Sequence, residues 1–174
     1  THDDFDHKGG YDSLKDKIEI KQVIEDSNQS VLVDYPFYLL LSERESKDTN
    51  DSSLISYFTY DHLTYLFMGD ASKQIEKQLM ATYDLKADVI KVGHHGSNTS
   101  SDPDFLDSLD CKIALISCGY KNKYGHPSVE TLKTLENLHI NTLCTSDCGS
   151  IAMYSLFHFS FVVTNDGMFG IIWT

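Results

Sequence analysis

Between residues 54 and 144, short runs of leucine, aromatic and β-branched residues alternate with stretches of helical periodicity, and histidines and aspartates collect where the runs end. This alternation constrains the fold most, because strand-helix-strand order lays a chain down as sheets flanked by helices. Leu54 to Tyr60 and Leu63 to Met68 read as a hairpin turning at Asp61-His62. Ser72 then caps a helix in which Ile75, Leu79 and Tyr83 recur at i, i+4 and i+8. After a strand from Val89 to Val92, Asp102 is the N-cap and Pro103 the first residue of a second helix, with Phe105, Leu106 and Leu109 facing inward. Lys112 to Ser117 is a strand, Ser128 starts a third helix carrying Val129, Leu132, Leu135 and Leu138, and the tail from Thr142 gives short strands. Upstream, a short helix spans Tyr11 to Lys17, strands cover Ile18 to Glu25, Val31 to Asp34 and Phe37 to Leu41, and Ser42 to Ser52 is a polar loop. At 174 residues and 41% apolar content, one core and one domain are expected.

The first ten residues, Thr1-His2-Asp3-Asp4-Phe5-Asp6-His7-Lys8-Gly9-Gly10, crowd imidazoles and carboxylates ahead of two glycines. In extended chain, His2, Asp4 and Asp6 point the same way and His7 follows as the glycines turn the backbone, so four donors converge on a pair of cations. Imidazole nitrogen with carboxylate oxygen suits divalent metals such as Zn²⁺ or Mn²⁺. An acidic N-terminus without fixed structure is the alternative.

The remaining chemistry sits at strand ends, where a scaffold presents functional loops. Asp70 follows Gly69 after an apolar strand and reads as a bridging metal ligand and catalytic group, or as a helix cap, a role Ser72 already fills. His94 and His95 leave a strand together between two glycines; adjacent residues of extended chain face opposite sides, so one binds metal and the other faces substrate or the ligands' supports. The assignment taken is His94 to metal and His95 to substrate or acid catalysis, the reverse remaining open. His126, before Pro127, is a further ligand or a hydrogen-bonding loop residue. Ser97, with Ser100 and Ser101, could hold phosphate oxygens or be ordinary loop. His62, His139 and His158 read as turn, helix-end and strand residues, and no Ser-His-Asp arrangement is apparent.

A formal charge of −12 disfavours tight nucleic-acid binding, which normally rests on a basic surface. Lys121, Asn122 and Lys123 are candidate substrate contacts, with the two lysines on phosphate, against plain solvated loop charge for the lysines. The cysteines, Cys111, Cys118, Cys144 and Cys148, form no zinc pattern and read as small buried hydrophobes, with a Cys144–Cys148 bridge conceivable. No run reaches the roughly 18 to 20 apolar residues of a spanning helix, and the acidic opening is no signal peptide.

The segment from His2 to His7 with Gly9-Gly10 resembles the ligand signature of the metallo-β-lactamase fold. Ala87 to Ser97, Leu66 to Asp70, Asn50 to Leu54, Ser117 to Gly119 with Asn122 and Tyr124 to Pro127, and Thr145 to Gly149 resemble, in order, the C-terminal domain of the ComEC/Rec2 competence proteins. The resemblance covers about residues 1 to 154. It implies an α/β, four-layer αββα fold, here lacking the first strands of the N-terminal sheet, so a partial domain whose earlier half precedes Thr1. Asp4 stands where the commoner pattern has histidine, as in the competence branch, which makes the site harder and argues against a β-lactamase.

The resemblance further implies two divalent metal ions, Zn²⁺ or Mn²⁺, and a phosphodiesterase acting on DNA, as a single strand, through a metal-activated water. The partner would be the membrane channel of the same parent protein, at the extracytoplasmic face of the cell membrane; the piece itself would be soluble and carry no lipid anchor. Two alternatives stand: a cell-surface phosphoesterase of choline-phosphate type, which the acidic balance favours, and a non-catalytic nucleic-acid or channel-binding domain.

Overall fold

The computed structural model describes residues 1–32, 36–40, 48–156 and 159–172. Its main sheet lines up β1 (Gln29–Leu32), β2 (Pro36–Leu40), β3 (Ile55–Tyr60), β4 (Leu63–Phe67), β5 (Val89–Lys91), β6 (Ile113–Ile116) and β7 (Asn141–Cys144) in chain order. Neighbours from β1 to β4 are antiparallel and those from β4 to β7 parallel. Connection length explains the switch. The turn at Asp61-His62 returns the chain antiparallel, whereas α3 (Lys73–Thr82), α4 (Pro103–Ser108) and α5 (Val129–Asn137) carry it back over the sheet before β5, β6 and β7. All three helices start where a side chain satisfies a free amide: Ser72 accepts from Gln74 N–H, Asp102 from Asp104 N–H and Ser128 from Thr131 N–H.

Period-two alternation divides the sheet's side chains between two interfaces. Leu66, Ile90 and Ala114 pack with Ile75 and Leu79 of α3, Phe105 and Leu106 of α4 and Leu135 of α5. Their neighbours Tyr65, Val89 and Ile113 pack the other way, against Ile172 of a second, antiparallel sheet built from β8 (Ile151–Leu156), β9 (Phe159–Thr164) and β10 (Phe169–Ile172), with β9 central. Helices, large sheet and small sheet are thus three layers of an α/β architecture. On the far side of the small sheet, Tyr154, Phe159, Phe169 and Ile171 are about half exposed. No helix among the described residues is long and apolar enough to cross a membrane.

The N-terminal segments depart from expectation. Phe5–Lys8 is a helical turn, α1, and not extended chain, and the helix expected to Lys17 stops at Leu14 (α2, Tyr11–Leu14). Ile18 to Glu25 forms no strand: Ile18 and Val23 lie exposed with no pairing strand among the described residues, and β-branched residues make a strand only where a partner accepts their backbone hydrogen bonds. Val33, Asp34, Leu41 and residues 42–47, assigned to strands and loop, lie outside the described residues, as does His158; Thr49–Ser52 is a 3-10 turn. In α5 only Leu135 of the four expected apolar residues is fully buried, while Val129 and Leu132 are exposed. Thr131 is buried instead, and its hydroxyl donates to the Ser97 carbonyl.

A Ser-His-Asp sequence of contacts, not apparent in the sequence, does occur between the sheets. Ser160 Oγ lies 3.2 Å from His62 Nε2, and His62 Nδ1 3.0 Å from Asp61 Oδ2. Ser160 is only 2% exposed, so no substrate reaches it, and the contacts tie the β3–β4 turn to β9. The four thiols are free; Cys118 Sγ faces Cys144 Sγ at 3.3 Å, whereas Cys148 donates to the Cys144 carbonyl.

Candidate metal centre

The C-terminal ends of β4, β5 and β6 point to one edge of the sheet, and each delivers part of a single polar centre. Asp70 comes from β4. Gly69, at φ +58° and too close to Ser53 Cβ to carry a side chain, bends the chain there, and Asp70 N–H donates to Ser53 Oγ at 3.0 Å. The carboxyl is 4% exposed and meets three imidazoles: its Oδ2 lies 3.3 Å from His7 Nε2, 3.6 Å from His95 Nε2 and 4.0 Å from His94 Nε2. Because Ser72 Oγ caps α3, Asp70 is not needed as a cap.

His94 and His95 leave β5 in the left-handed region, at φ 46° and 54°, and not in extended chain. That conformation costs roughly 1 to 2 kcal/mol per non-glycine residue. Its effect is to turn both rings to the same side, toward Asp70, where an extended pair faces opposite sides. His95 Nδ1 lies 2.6 Å from the Ser117 carbonyl, an acceptor only, so Nδ1 carries a proton and the neutral ring presents its lone pair at Nε2. His94 reaches the same state by another route. Its Nδ1 is 3.1 Å from Thr99 Oγ1, whose own proton goes to Ser97 Oγ, so His94 Nδ1 donates as well.

The N-terminal segment closes the centre from the other side. His2 is buried, its Nδ1 held by Thr1 Oγ1 and Ser53 Oγ and its Nε2 3.5 Å from Asp4 Oδ2; Asp4 Oδ1 accepts from Thr49 Oγ1. The turn of α1 places Asp6 and His7 over Asp70, with Asp6 Oδ2 3.3 Å from His95 Nε2 and 3.7 Å from His7 Nε2. Burial lowers the His7 pKa, helped by His2 and opposed by Asp70, so this ring is neutral at pH 7. Burial works to raise Asp6, but its own backbone amide and the His7 and His95 rings outweigh it and keep the carboxyl below its ordinary value. Lys91 reaches under the site to the Gly69 carbonyl, its pKa lowered by burial against Asp70 and Asp6. An open cleft of about 750 Å³ borders His2 and His7.

Two sets of three donors lie within mutual ligand distance, His2 with His7 and Asp70, and Asp6 with His7 and His95. His126 sits one ring further out, 5.7 Å from His94, with its pKa lowered by burial and then by His94 and His95.

The proposed substrate contacts are placed differently. Ser97 is buried and its Oγ accepts from Thr99 N–H and Oγ1, so it supports His94 and does not face a substrate. Asn122 spends its side chain on the loop itself, donating to the Gly119 and His126 carbonyls and accepting from His126 N–H. Lys121 and Lys123 are exposed on that loop. Ser53, Thr99 and the Ser117 carbonyl, which orient the rings, escaped sequence reasoning, since a serine or threonine hydroxyl carries no spacing pattern.

No family model matches the chain. Among curated proteins it is 36% identical over 120 residues to ComE operon protein 3 of Bacillus subtilis, covering 68% of this chain and 16% of that protein. It is 30% identical over 172 residues to competence protein ComA of Neisseria gonorrhoeae, covering 90% of this chain and 24% of the relative. Recombination protein 2 of Haemophilus influenzae is 26% identical over 151 residues. These relatives indicate the ComEC/Rec2 competence family. The chain spans no more than about a quarter of the length of the first two. The segments that carry the ComEC/Rec2 resemblance, from Asn50 to Leu54, Leu66 to Asp70, Ala87 to Ser97 and Tyr124 to Pro127, all border the polar centre: Ser53 supports Asp70 and His2, Ser97 supports His94, and His126 stands beside His94.

Proposed function

We propose that this chain is the metal-dependent phosphodiesterase domain of a competence protein, a metallo-β-lactamase-like domain over residues 1–174 that hydrolyses DNA during uptake. The observation that carries this reading is a set of buried polar atoms without hydrogen-bond partners among the described residues, His2 Nε2, His7 Nε2, Asp70 Oδ1 and His95 Nε2 in the centre and His126 Nδ1 beside it. Orphaned buried groups are costly, by about 1 to 3 kcal/mol each, and a bound cation would satisfy several at once. Their chemistry fits: neutral imidazole and carboxylate suit Zn²⁺ or Mn²⁺.

His7 presents one nitrogen and so serves one ion: His2, His7 and Asp70 would hold one, and Asp6 and His95 would contribute to a second, with Asp4, His94 and His126 at the margin. Bound there, divalent ions would supply Lewis acidity toward a phosphodiester and lower the pKa of an attacking water. Within the chain, Ser117, Thr99 and Ser53 fix the rings, and Asp70 provides the carboxylate around which they gather. Protonation of His95 at Nδ1 favours ligation by Nε2 over donation of a proton from it. In the four-layer αββα arrangement that goes with this reading, a further layer would cover the half-exposed outer face of β8 to β10. The relatives' names support a role in competence; on this reading the domain would stand beside the membrane channel of its parent protein, at the extracytoplasmic face, with single-stranded DNA as substrate. The −12 charge favours, as a second reading, a phosphoesterase for small or polymeric phosphate esters.

The test is metal content. Asp6→Ala with His7→Ala removes donors from both sets and should abolish most of the divalent metal that elemental analysis finds in the unaltered chain. Equal metal in both would end the assignment. Hydrolysis of bis-p-nitrophenyl phosphate with Mn²⁺ tests the phosphodiesterase chemistry independently of any polymer.

A further inference from the structure

The loop between β6 and α5 displays two tyrosines in a way that packing does not explain. Tyr120 is 76% and Tyr124 69% exposed, among the most exposed large side chains of the molecule. Each ring has a lysine ammonium over it, Lys121 Nζ 5.2 Å from the Tyr120 centroid and Lys123 Nζ 4.9 Å from that of Tyr124. The backbone beneath is fixed, because Asn122 bonds to Gly119 and His126 across the loop. A fixed loop that leaves two aromatic faces in water gains nothing from hydrophobic burial.

The rings also connect inward. Tyr124 stacks on His126 at 5.8 Å and 16°, and His126 is 5.7 Å from His94, which reaches Asp70. A series of ring contacts therefore runs from solvent to the centre, stacked from Tyr124 to His126 and edge-on, at 62°, from His126 to His94. Charge agrees with its direction. From Ser117, after β6, to Val129 the chain has no acidic residue and carries Lys121 and Lys123, in a molecule of net charge −12.

We infer that Tyr120 and Tyr124 form a base-stacking platform that takes the unpaired bases of a single nucleic-acid strand, with Lys121 and Lys123 on its phosphates, and leads the strand toward Asp70. Aromatic faces beside a basic track are what a single strand recognises, since its bases are free to stack on the protein; in a duplex they already stack on one another. The inference rests on the reading of the centre as one that acts on single-stranded nucleic acid, and it adds the residues that produce the preference for unpaired strands.

Fluorescence anisotropy of the 174-residue chain with labelled oligo-dT, a duplex of equal length and an abasic oligonucleotide, all in EDTA so that no probe is hydrolysed, tests it. The unaltered chain should bind oligo-dT more tightly than either comparator. Tyr124→Ala and Tyr120→Ala should each weaken oligo-dT binding roughly tenfold, within the range of a lost base stack. Tyr124→Phe, which keeps the ring face, should restore it, and a thermal melt of each variant controls for folding. Alanine variants that bind oligo-dT as before, equal affinity for the abasic strand, or equal affinity for the duplex would each overturn the platform. Absent oligo-dT binding alongside hydrolysis of bis-p-nitrophenyl phosphate overturns the platform and leaves the phosphodiesterase standing; failure of that hydrolysis counts against the phosphodiesterase itself.

Discussion

Asp70 is the residue on which the centre turns, because one carboxylate oxygen faces three imidazoles while the other has no hydrogen-bond partner among the described residues. Its environment makes charge, not shape, the quantity to vary. Asp70→Asn conserves volume and leaves the backbone bond to Ser53 intact, so the thermal melt should stay close to that of the unaltered chain. Phosphodiester hydrolysis should fall by about 10²-fold or more, a few kcal/mol of transition-state stabilisation. Initial rates on bis-p-nitrophenyl phosphate read this directly, and an unimpaired mutant would reduce Asp70 to a structural residue.

Two elements hold the His94-His95 turn in its unfavourable backbone state. One is Gly96, at φ +80° with Pro127 Cβ only 2.7 Å from where a side chain would begin; its carbonyl accepts from Ser128 N–H at the start of α5. Gly96→Ala would strain the φ and push Pro127 away, so it should destabilise the fold by about 1 to 3 kcal/mol, visible as a lowered Tm. The other is Glu76 of α3, 1% exposed, whose carboxyl oxygens accept from Ser101 N–H and Asp102 N–H and pin the loop behind His94. Burial raises its pKa from 4.5 to about 7, against the two amide bonds that pull it down. In the folded chain Glu76 therefore keeps a proton that the unfolded chain releases above pH 4.5. Its contribution to stability is full below that pH and is lost as pH rises toward about 7, at no more than about 1.4 kcal/mol per pH unit. Denaturant titrations from pH 4.5 to 7.5 should show the decline in the unaltered chain and a flatter profile in Glu76→Gln; parallel profiles would remove Glu76 from the balance.

For the molecule as a whole, a charge of −12 sets the electrostatic problem, since a polyanion approaching an acidic protein needs a local path. The acid-free stretch from Ser117 to Val129 follows the end of β6 that points to the centre and offers one. If Lys121 and Lys123 both neutralise strand phosphates, changing both to Gln should reduce the salt slope of log K for a single strand by about 1.4, at about 0.7 per phosphate. Affinities at several KCl concentrations measure it. An unchanged slope would make the two lysines ordinary solvated charge.

The sequence by itself determined much of what is local. The β3–β4 hairpin, the caps at Ser72, Asp102 and Ser128, and the strands before Asp70 and His94 stood out because turn chemistry, capping side chains and apolar runs act within a few residues. Imidazoles and carboxylates crowded at residues 2–7 and at strand ends marked the centre for the same reason. What lay beyond reach depends on partners distant in the chain. Ile18 to Glu25 has strand composition but no strand to pair with among the described residues, and Asp6 joins the centre from a helical turn, not from extended chain. Ser97 and Asn122 look like substrate contacts until the fold spends their polar atoms on Thr99 and on the His126 loop. The joint aim of His94 and His95 was decided by tertiary structure alone, because a left-handed pair is costly in isolation and persists only where Ser117, Thr99 and Gly96 from the surrounding elements hold it.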